Sequence, residues 1–332
     1  MKKKILLIAT GGTIASKNTG IGLSPQMSAD EILAMVPEIR EHCDVDVIQL
    51  FNLDSTNIGH THWLAIAGCV KAHYNQYDGF VITHGTDTMS YTAAALSYLI
   101  QNSQKPVVIT GSQQSIFNRD TDARRNLLHG FLFASDDRAC NVHVVFDGKV
   151  MIGTRTRKTR TKSYNAFSCI DYPETAVFHD NKLIFYLEEK TGLEIFCIYD
   201  KLNPRVFVLK LVPGMSSDIF EFLKLHYDAV VIESFGVGGL PVSENSSFQE
   251  AMAEWQSAGK TVVITTQVPH EGSDMEVYQV GNVIKQKLDL LEAYNMTLES
   301  VVTKLMWILA QTGETSQIRA LFYKAVQKDL LD

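Results

Sequence analysis

The sequence predicts an α/β protein with two domains. A larger N-terminal domain is built on an open, parallel-rich sheet with helices on both faces, and a smaller C-terminal α/β domain follows. The first observation is a series of short β-rich apolar runs: Ile5–Ala9, Val45–Leu50, Phe80–Thr83, Val107–Thr110, Val142–Phe146, Val206–Val212, Ala229–Ile232 and Val262–Thr265. They are continuous rather than alternating, the pattern of strands buried on both faces of a parallel sheet. The second is the helical stripes between them. Trp63, Ile66, Ala67, Val70 and Tyr74 share a face, as do Met89, Thr92, Ala93, Leu96 and Ile100, and later Leu298, Val301, Val302, Leu305 and Leu309. Strand and helix patterns that alternate in this way favour a parallel sheet covered on both sides.

The third observation is length. At roughly 150 residues per domain, 332 residues suggest two. The stretch 177–203 is polar and irregular, with Phe178-His179-Asp180-Asn181-Lys182 and Glu188-Glu189-Lys190-Thr191-Gly192, and reads as a connecting segment. The expected division is residues 1–190, a connector over 191–204, and residues 205–332.

Composition narrows the function class. The chain is 45% hydrophobic and 20% charged, which is globular rather than disordered. A net charge of −7 argues against a nucleic acid or an anionic membrane as partner. No apolar run approaches the roughly 20 residues that span a bilayer. Met1-Lys2-Lys3-Lys4 before Ile5–Ala9 imitates a signal peptide. The run stops at Thr10-Gly11-Gly12, short of the roughly 7–15 residues of a signal core, so it reads as a first buried strand. The five cysteines are scattered and form no CxxC, which fits reduced thiols in the cytosol. The histidines show no metal-ligand spacing, so metal catalysis is not expected.

Ligands of open α/β sheets bind beyond the carboxyl ends of the strands. Here those ends carry Thr10-Gly11-Gly12-Thr13-Ile14-Ala15, Asn52-Leu53-Asp54-Ser55-Thr56, Thr83-His84-Gly85-Thr86-Asp87-Thr88 and Thr110-Gly111-Ser112-Gln113. Hydroxyls, glycines and carboxylates therefore converge on one sheet edge. Gly11-Gly12 permits tight backbone geometry and frees N–H groups for an anion or oxyanion. It reads equally as a plain glycine turn, and Ser16–Pro25 after it as a mobile loop. Thr86 and Asp87 open the next helix, so they are either caps or an amino-group binder with a second hydroxyl. Asp54 and Ser55 carry the same ambiguity, because Asx and Ser turns are common. The basic stretch Lys149–Lys162, read as extended, aligns Thr154, Thr156, Lys158, Arg160 and Lys162 on one face. It reads as a solvated edge strand, with one buried lysine acting as a base as the sharper alternative.

Taken together these segments resemble the bacterial asparaginases of the cytoplasmic type. Thr10–Ala15 resembles the family's first threonine motif, Leu53-Asp54-Ser55 its substrate-clamp turn, and His84–Met89 its second threonine motif. Gly111-Ser112-Gln113, the Lys158 segment and Ser234-Phe235-Gly236-Val237-Gly238 also fit. The resemblance implies catalytic residues Thr13, Thr86, Asp87 and Lys158, and a substrate grip from Asp54, Ser55, Thr56, Thr86 and Asp87. Thr13 would be the nucleophile and Lys158 the base behind Thr86. Asp87 would hold the substrate ammonium, and the Asp54–Thr56 turn its α-carboxylate. It also implies L-asparagine as the small-molecule substrate, no metal or organic cofactor, a cytoplasmic location, and a homotetramer or homodimer. This sequence departs from some relatives in three places. Gly22-Leu23-Ser24-Pro25 has leucine where they have a tyrosine, Gly239 stands for an asparagine, and Val268 for a regulatory-site cysteine. Other readings are a glutamine-preferring enzyme, an ammonia-donor subunit of a transfer-RNA amidotransferase, and a non-catalytic amino-acid sensor.

Overall fold

The computed structural model of the chain describes residues 2–18, 20, 23–188, 194–243 and 246–331. It divides into two compact units, residues 1–200 and 201–332.

The first unit is organised by an eight-stranded sheet. Its strands are β1 (Lys3–Gly11), β2 (Cys43–Leu53), β3 (Gly79–Thr83), β4 (Val107–Thr110), β5 (Val142–Phe146) and β6 (Lys149–Ile152). After a separate two-stranded ribbon of β7 (Thr156–Lys158) and β8 (Phe167–Cys169), β9 (Ala176–His179) and β10 (Lys182–Phe185) complete it. The order is β10-β9-β6-β5-β4-β3-β1-β2. From β2 to β5 all neighbours are parallel, and the remaining pairs are antiparallel. Every residue of β3, β4 and β5 is buried, as continuous apolar runs require. The helix Met89–Leu99 is buried on nearly all sides, wider than its apolar stripe.

Register positions the functional edge. Ala9 of β1 pairs with Thr83 of β3, and Thr83 with Thr110 of β4. Three parallel strands thus end in one row, and the turns at residues 10–12, 84–86 and 111–113 emerge side by side. Thr10 Oγ1 donates to the Thr83 carbonyl at 2.7 Å, and Thr110 Oγ1 to the Val145 carbonyl at 2.7 Å, so these strand-end hydroxyls also tie the row together.

Three expectations change. The polar stretch from 177 contains the β9–β10 hairpin, because Asp180 and Asn181 adopt φ of 47° and 60°. Two successive positive φ angles are what a two-residue hairpin turn needs, and Asp and Asn tolerate them. Farther on, Cys197–Ile198 pairs with Ile100–Gln101, while residues 189–193 lie outside the described residues. In place of a loop over Ser16–Pro25, Ser16–Asn18 pairs antiparallel with Leu23–Pro25; Gly22 lies outside the described residues. The basic stretch 149–162 is not one edge strand. It turns at Gly153–Arg155, and Thr154, Arg155 and Thr156 are buried while Arg160 and Lys162 are exposed.

The second unit carries a four-stranded parallel sheet, β11 (Val206–Lys210), β12 (Ala229–Ser234), β13 (Thr261–Thr266) and β14 (Leu291–Glu292), in that order. Its core gathers Phe220, Phe248, Met252 and Trp255 against Val230 and Ile232. The Phe235–Gly239 turn follows β12 directly and closes with Phe235 N–H to Gly239 O at 3.0 Å and Gly239 N–H to Phe235 O at 2.7 Å.

Candidate active site

The site is built on backbone turns that touch. Gly11 and Gly12 have φ of 106° and 84°, a region that favours glycine. A Cβ at Gly11 would fall 2.4 Å from the backbone N and O of Leu53, and one at Gly12 would fall 2.4 Å from the Gly85 nitrogen. The Gly12 N–H donates to Leu53 O at 2.9 Å. A Cβ at Gly85 would in turn meet Ser55 Oγ at 2.6 Å. The turn after β1 therefore meets those after β2 and β3 backbone to backbone, and the β2 and β3 turns meet through the Ser55 side chain. Thr13 leaves this contact as the first residue of a single 3₁₀ turn, Thr13–Ala15. Ile14 and Ala15 are buried, while Thr13 is half-buried. Ser16 Oγ donates to Gly12 O at 2.9 Å, and Ser115 Oγ to Ser16 O at 2.5 Å, so hydroxyls hold the turn on both sides.

The Asp54 carboxylate closes an Asx-type turn after β2. Asp54 Oδ1 accepts from Thr56 N–H at 2.9 Å and from Thr56 Oγ1 at 2.8 Å. Asp54 and Thr56 are exposed and Ser55 is buried, at 2% exposure. Ser55 O accepts from Thr88 Oγ1 at 2.7 Å, which joins this turn to the β3 turn.

Thr86 and Asp87 do not cap the helix that follows. Its N-cap position is Thr88, which makes no side-chain cap bond and whose Oγ1 donates to Ser55 O instead. Lys158 Nζ instead donates to Thr86 Oγ1 at 2.8 Å and to Asp87 Oδ1 at 2.6 Å. Lys158 projects from β7 of the two-stranded ribbon, far along the chain from both partners. It is held between a buried hydroxyl and an exposed carboxylate.

Two supporting layers lie behind this triad. The first is Gln113, whose Oε1 accepts from Thr86 Oγ1 at 3.1 Å. Its turn is pinned by the buried Asp122, which accepts from the N–H groups of Gln113 at 2.9 Å and Gln114 at 3.0 Å. Burial raises the Asp122 carboxyl above the usual range, while those N–H donors pull it back. The second layer is the buried His84. Trp63 Nε1 donates to Thr92 Oγ1 at 2.9 Å, and Thr92 Oγ1 lies 2.9 Å from His84 Nε2, which accepts the Thr92 proton because the other ring nitrogen faces a carbonyl that can only accept. His84 Nδ1 must then carry the ring proton and donate it to Gly85 O at 2.7 Å. Burial pushes the His84 pKa down to about 4, so the ring is neutral at physiological pH.

A half-buried threonine beside a glycine turn, a lysine-coupled second threonine and a carboxylate are thus gathered at one sheet edge. Sequence comparison supplies the lineage. Residues 4–191 match the family model described as Asparaginase, N-terminal, and residues 205–322 match the Glutaminase/Asparaginase C-terminal domain. The chain belongs to the asparaginase family. It is 35% identical over 328 residues to the L-asparaginase of Thermococcus kodakarensis, covering 98% of this chain and 99% of that protein. The solved structure of the thermostable L-asparaginase from that organism agrees with a TM-score of 0.93 over 99% of both chains. L-asparaginase 1 of Escherichia coli K12 is 33% identical over 337 residues, covering 99% of this chain and 97% of that protein. A glutamyl-tRNA(Gln) amidotransferase subunit of Pyrococcus furiosus is 35% identical over 334 residues, covering 96% of this chain and 74% of that protein.

As an asparaginase-family chain, it has the two-unit mixed α/β fold of the solved relatives. Among the described residues no helix is long and apolar enough to cross a membrane, and no group of three or more His, Cys, Asp or Glu could hold a metal. Thr86, Asp87 and Lys158 are joined by direct hydrogen bonds. Thr13 and the Asp54–Thr56 turn meet them through Gly12, Gly85 and Ser55. Gln113 stands out in the sequence only as the residue after a strand-end Gly-Ser. Asp122, Thr92 and Trp63 carry no signal there beyond ordinary capping and core positions.

Proposed function

We propose that this chain hydrolyses the side-chain amide of L-asparagine to L-aspartate and ammonia, through an acyl-enzyme on Thr13. The observation that carries the reading is Lys158 Nζ bridging Thr86 Oγ1 and Asp87 Oδ1, on a turn in backbone contact with the one that carries Thr13. Amide hydrolysis needs a nucleophile, a proton relay, oxyanion donors and a grip on the substrate. Thr13 Oγ1 attacks the amide carbon, and its proton passes to the Thr86–Lys158 relay. The relay returns a proton to the leaving nitrogen, and ammonia departs. Water then attacks the aspartyl ester, its proton goes to the relay, and the Thr13 hydroxyl is restored. With the Gly12 N–H spent on Leu53 O, the backbone N–H of Thr13 and those at the Gly85–Thr86 turn are suited to the developing oxyanion. Asp87, whose carboxylate is largely exposed, holds the α-ammonium, and Ser55 and Thr56 serve the α-carboxylate. The reaction balances with these side chains and water, without a cofactor.

The likeness to a transfer-RNA amidotransferase component favours a second reading, in which the released ammonia is passed to a partner protein. Ammonia release from asparagine and from glutamine, measured side by side on the purified chain, decides. Turnover of free asparagine without a partner supports the first reading. Turnover only with a partner, or of glutamine alone, overturns it. We further propose a cytoplasmic homotetramer or homodimer, following the family resemblance, which light scattering on the purified protein would check.

A further inference from the structure

The Thr86 hydroxyl has one proton and two lone pairs. Lys158 Nζ occupies one lone pair, at 2.8 Å. The proton goes to Gln113 Oε1, at 3.1 Å. Which end of the Gln113 carboxamide faces Thr86 is settled by its other contact, because Nε2 donates to the Ser163 carbonyl at 3.1 Å. The reversed carboxamide would set its own oxygen against the Ser163 carbonyl oxygen, two acceptors face to face. Gln113 can therefore only accept from Thr86.

We infer that Gln113 is a positioning residue that fixes the direction of the Thr86 hydroxyl. With the proton held on Gln113 and one lone pair on Lys158, the remaining lone pair is the part of Thr86 left to face the reacting atoms. In the resting site Thr86 is thus set to accept the Thr13 proton, and the relay is completed when Thr86 turns its own proton from Gln113 to Lys158, which takes it in the unprotonated amine form. The mount is rigid. Asp122 clamps the turn with one carboxylate oxygen on the Gln113 N–H and the other on the Gln114 N–H, and Asn126 Nδ2 donates to Asp122 at 3.2 Å and to Gly111 O at 3.0 Å. Through Ser163 the same side chain also ties the segment that follows Lys158 to the Thr86 turn. Held on one side by its own strand and on the other by Gln113, Lys158 keeps its reach to Thr86. A hydroxyl free to rotate would spend most of its time misdirected, and misorientation is expressed in kcat rather than in binding.

This inference rests on the amidohydrolase reading above. Its test is Gln113→Met, which keeps length and removes the acceptor. The expected result is a fall in kcat for asparagine of about tenfold or more, with KM within about twofold of wild type and an unchanged melting temperature. Gln113→Glu, which keeps an acceptor opposite Thr86, should recover part of the loss. In a Thr86→Val background the Met substitution should have no further effect on the residual kcat, because its target hydroxyl is gone. A wild-type kcat in Gln113→Met overturns the inference, as does a loss of the same size in the Thr86→Val background. Should Gln113→Met fail to fold, Gln113→Leu removes the same carboxamide and gives the same readout. If wild-type protein releases ammonia from neither amide, the functional reading falls and this one with it. If wild type is active and the variants match it, only Gln113 is reassigned.

Discussion

The Lys158 ammonium lies 2.6 Å from the Asp87 carboxylate, with 16% of the lysine side chain exposed and 60% of the aspartate. A pair with one member so open to water contributes little to stability, since solvent screens it and side-chain ordering opposes it. The arrangement instead presents a carboxylate outward from a lysine that is itself held against a buried threonine. A carboxylate so placed remains available to a second cation, such as a substrate ammonium.

Asp87→Asn should therefore separate recognition from stability. Asp87 caps no helix, so the substitution removes only charge and one acceptor toward Lys158. The melting temperature should stay near wild type. A charge-assisted hydrogen bond to the substrate ammonium is worth roughly 10- to 100-fold in kcat/KM for asparagine. An amide substrate lacking the α-amino group should be used poorly by both proteins, with little difference between them. Early melting with retained asparagine turnover would make Asp87 a structural residue.

Thr13→Ala should abolish turnover and leave the fold intact, because the half-buried hydroxyl contributes little to the core. Lys158→Met keeps the stem but removes both the donor to Thr86 and the base, so kcat should fall by about 10²- to 10⁴-fold. Circular dichroism confirms folding in each case. Robust ammonia release from either variant would remove that residue from its assigned role.

The sequence made the strands legible because parallel, doubly buried strands read as unbroken apolar runs. The glycine and hydroxyl clusters at their ends likewise pointed to one edge. It did not reveal the β9–β10 hairpin, whose Lys182–Phe185 strand is half exposed and therefore lacks the apolar run. Nor could spacing decide whether Asp87 caps a helix or meets Lys158. That choice is made by Thr88, whose hydroxyl bonds to Ser55, and by a ribbon that brings Lys158 back from 71 residues away. Gln113 escaped notice for a related reason. Its role depends on Ser163 and Asp122, and a carboxamide carries no charge pattern that advertises such contacts.

Gly12→Ala tests whether contact between the turns organises the site. At φ of 84° an L side chain is strained, and its Cβ would stand 2.4 Å from the Gly85 nitrogen, a distance only backbone movement can relieve. The strain alone is of order 1–3 kcal/mol. The melting temperature should drop by several degrees, and asparagine turnover should be lost together with it. Alanine accepted at wild-type stability would mean that the turns are not locked against each other.

His84 predicts an acid-side loss of stability. Its folded pKa is about 4, against an ordinary value of 6.5, because burial disfavours the charged ring. As pH falls below about 6.5 the unfolded chain takes up a proton that the folded chain refuses, so stability is complete above that value and declines toward pH 4. The full decline from this one ring is on the order of 3 kcal/mol. Protonation would also force Nε2 to donate toward the Thr92 hydroxyl, whose proton already points at the ring, and so break the chain from Trp63 to Gly85. Denaturant unfolding at successive pH values between 6.5 and 5, above most carboxylate titrations, should show a positive slope of stability with pH in wild type. His84→Gln should flatten that slope, at the cost of lower stability at pH 7, where the Gly85 and Thr92 contacts are imperfectly replaced. A slope unchanged by the substitution would place the acid sensitivity elsewhere and leave His84 as packing only.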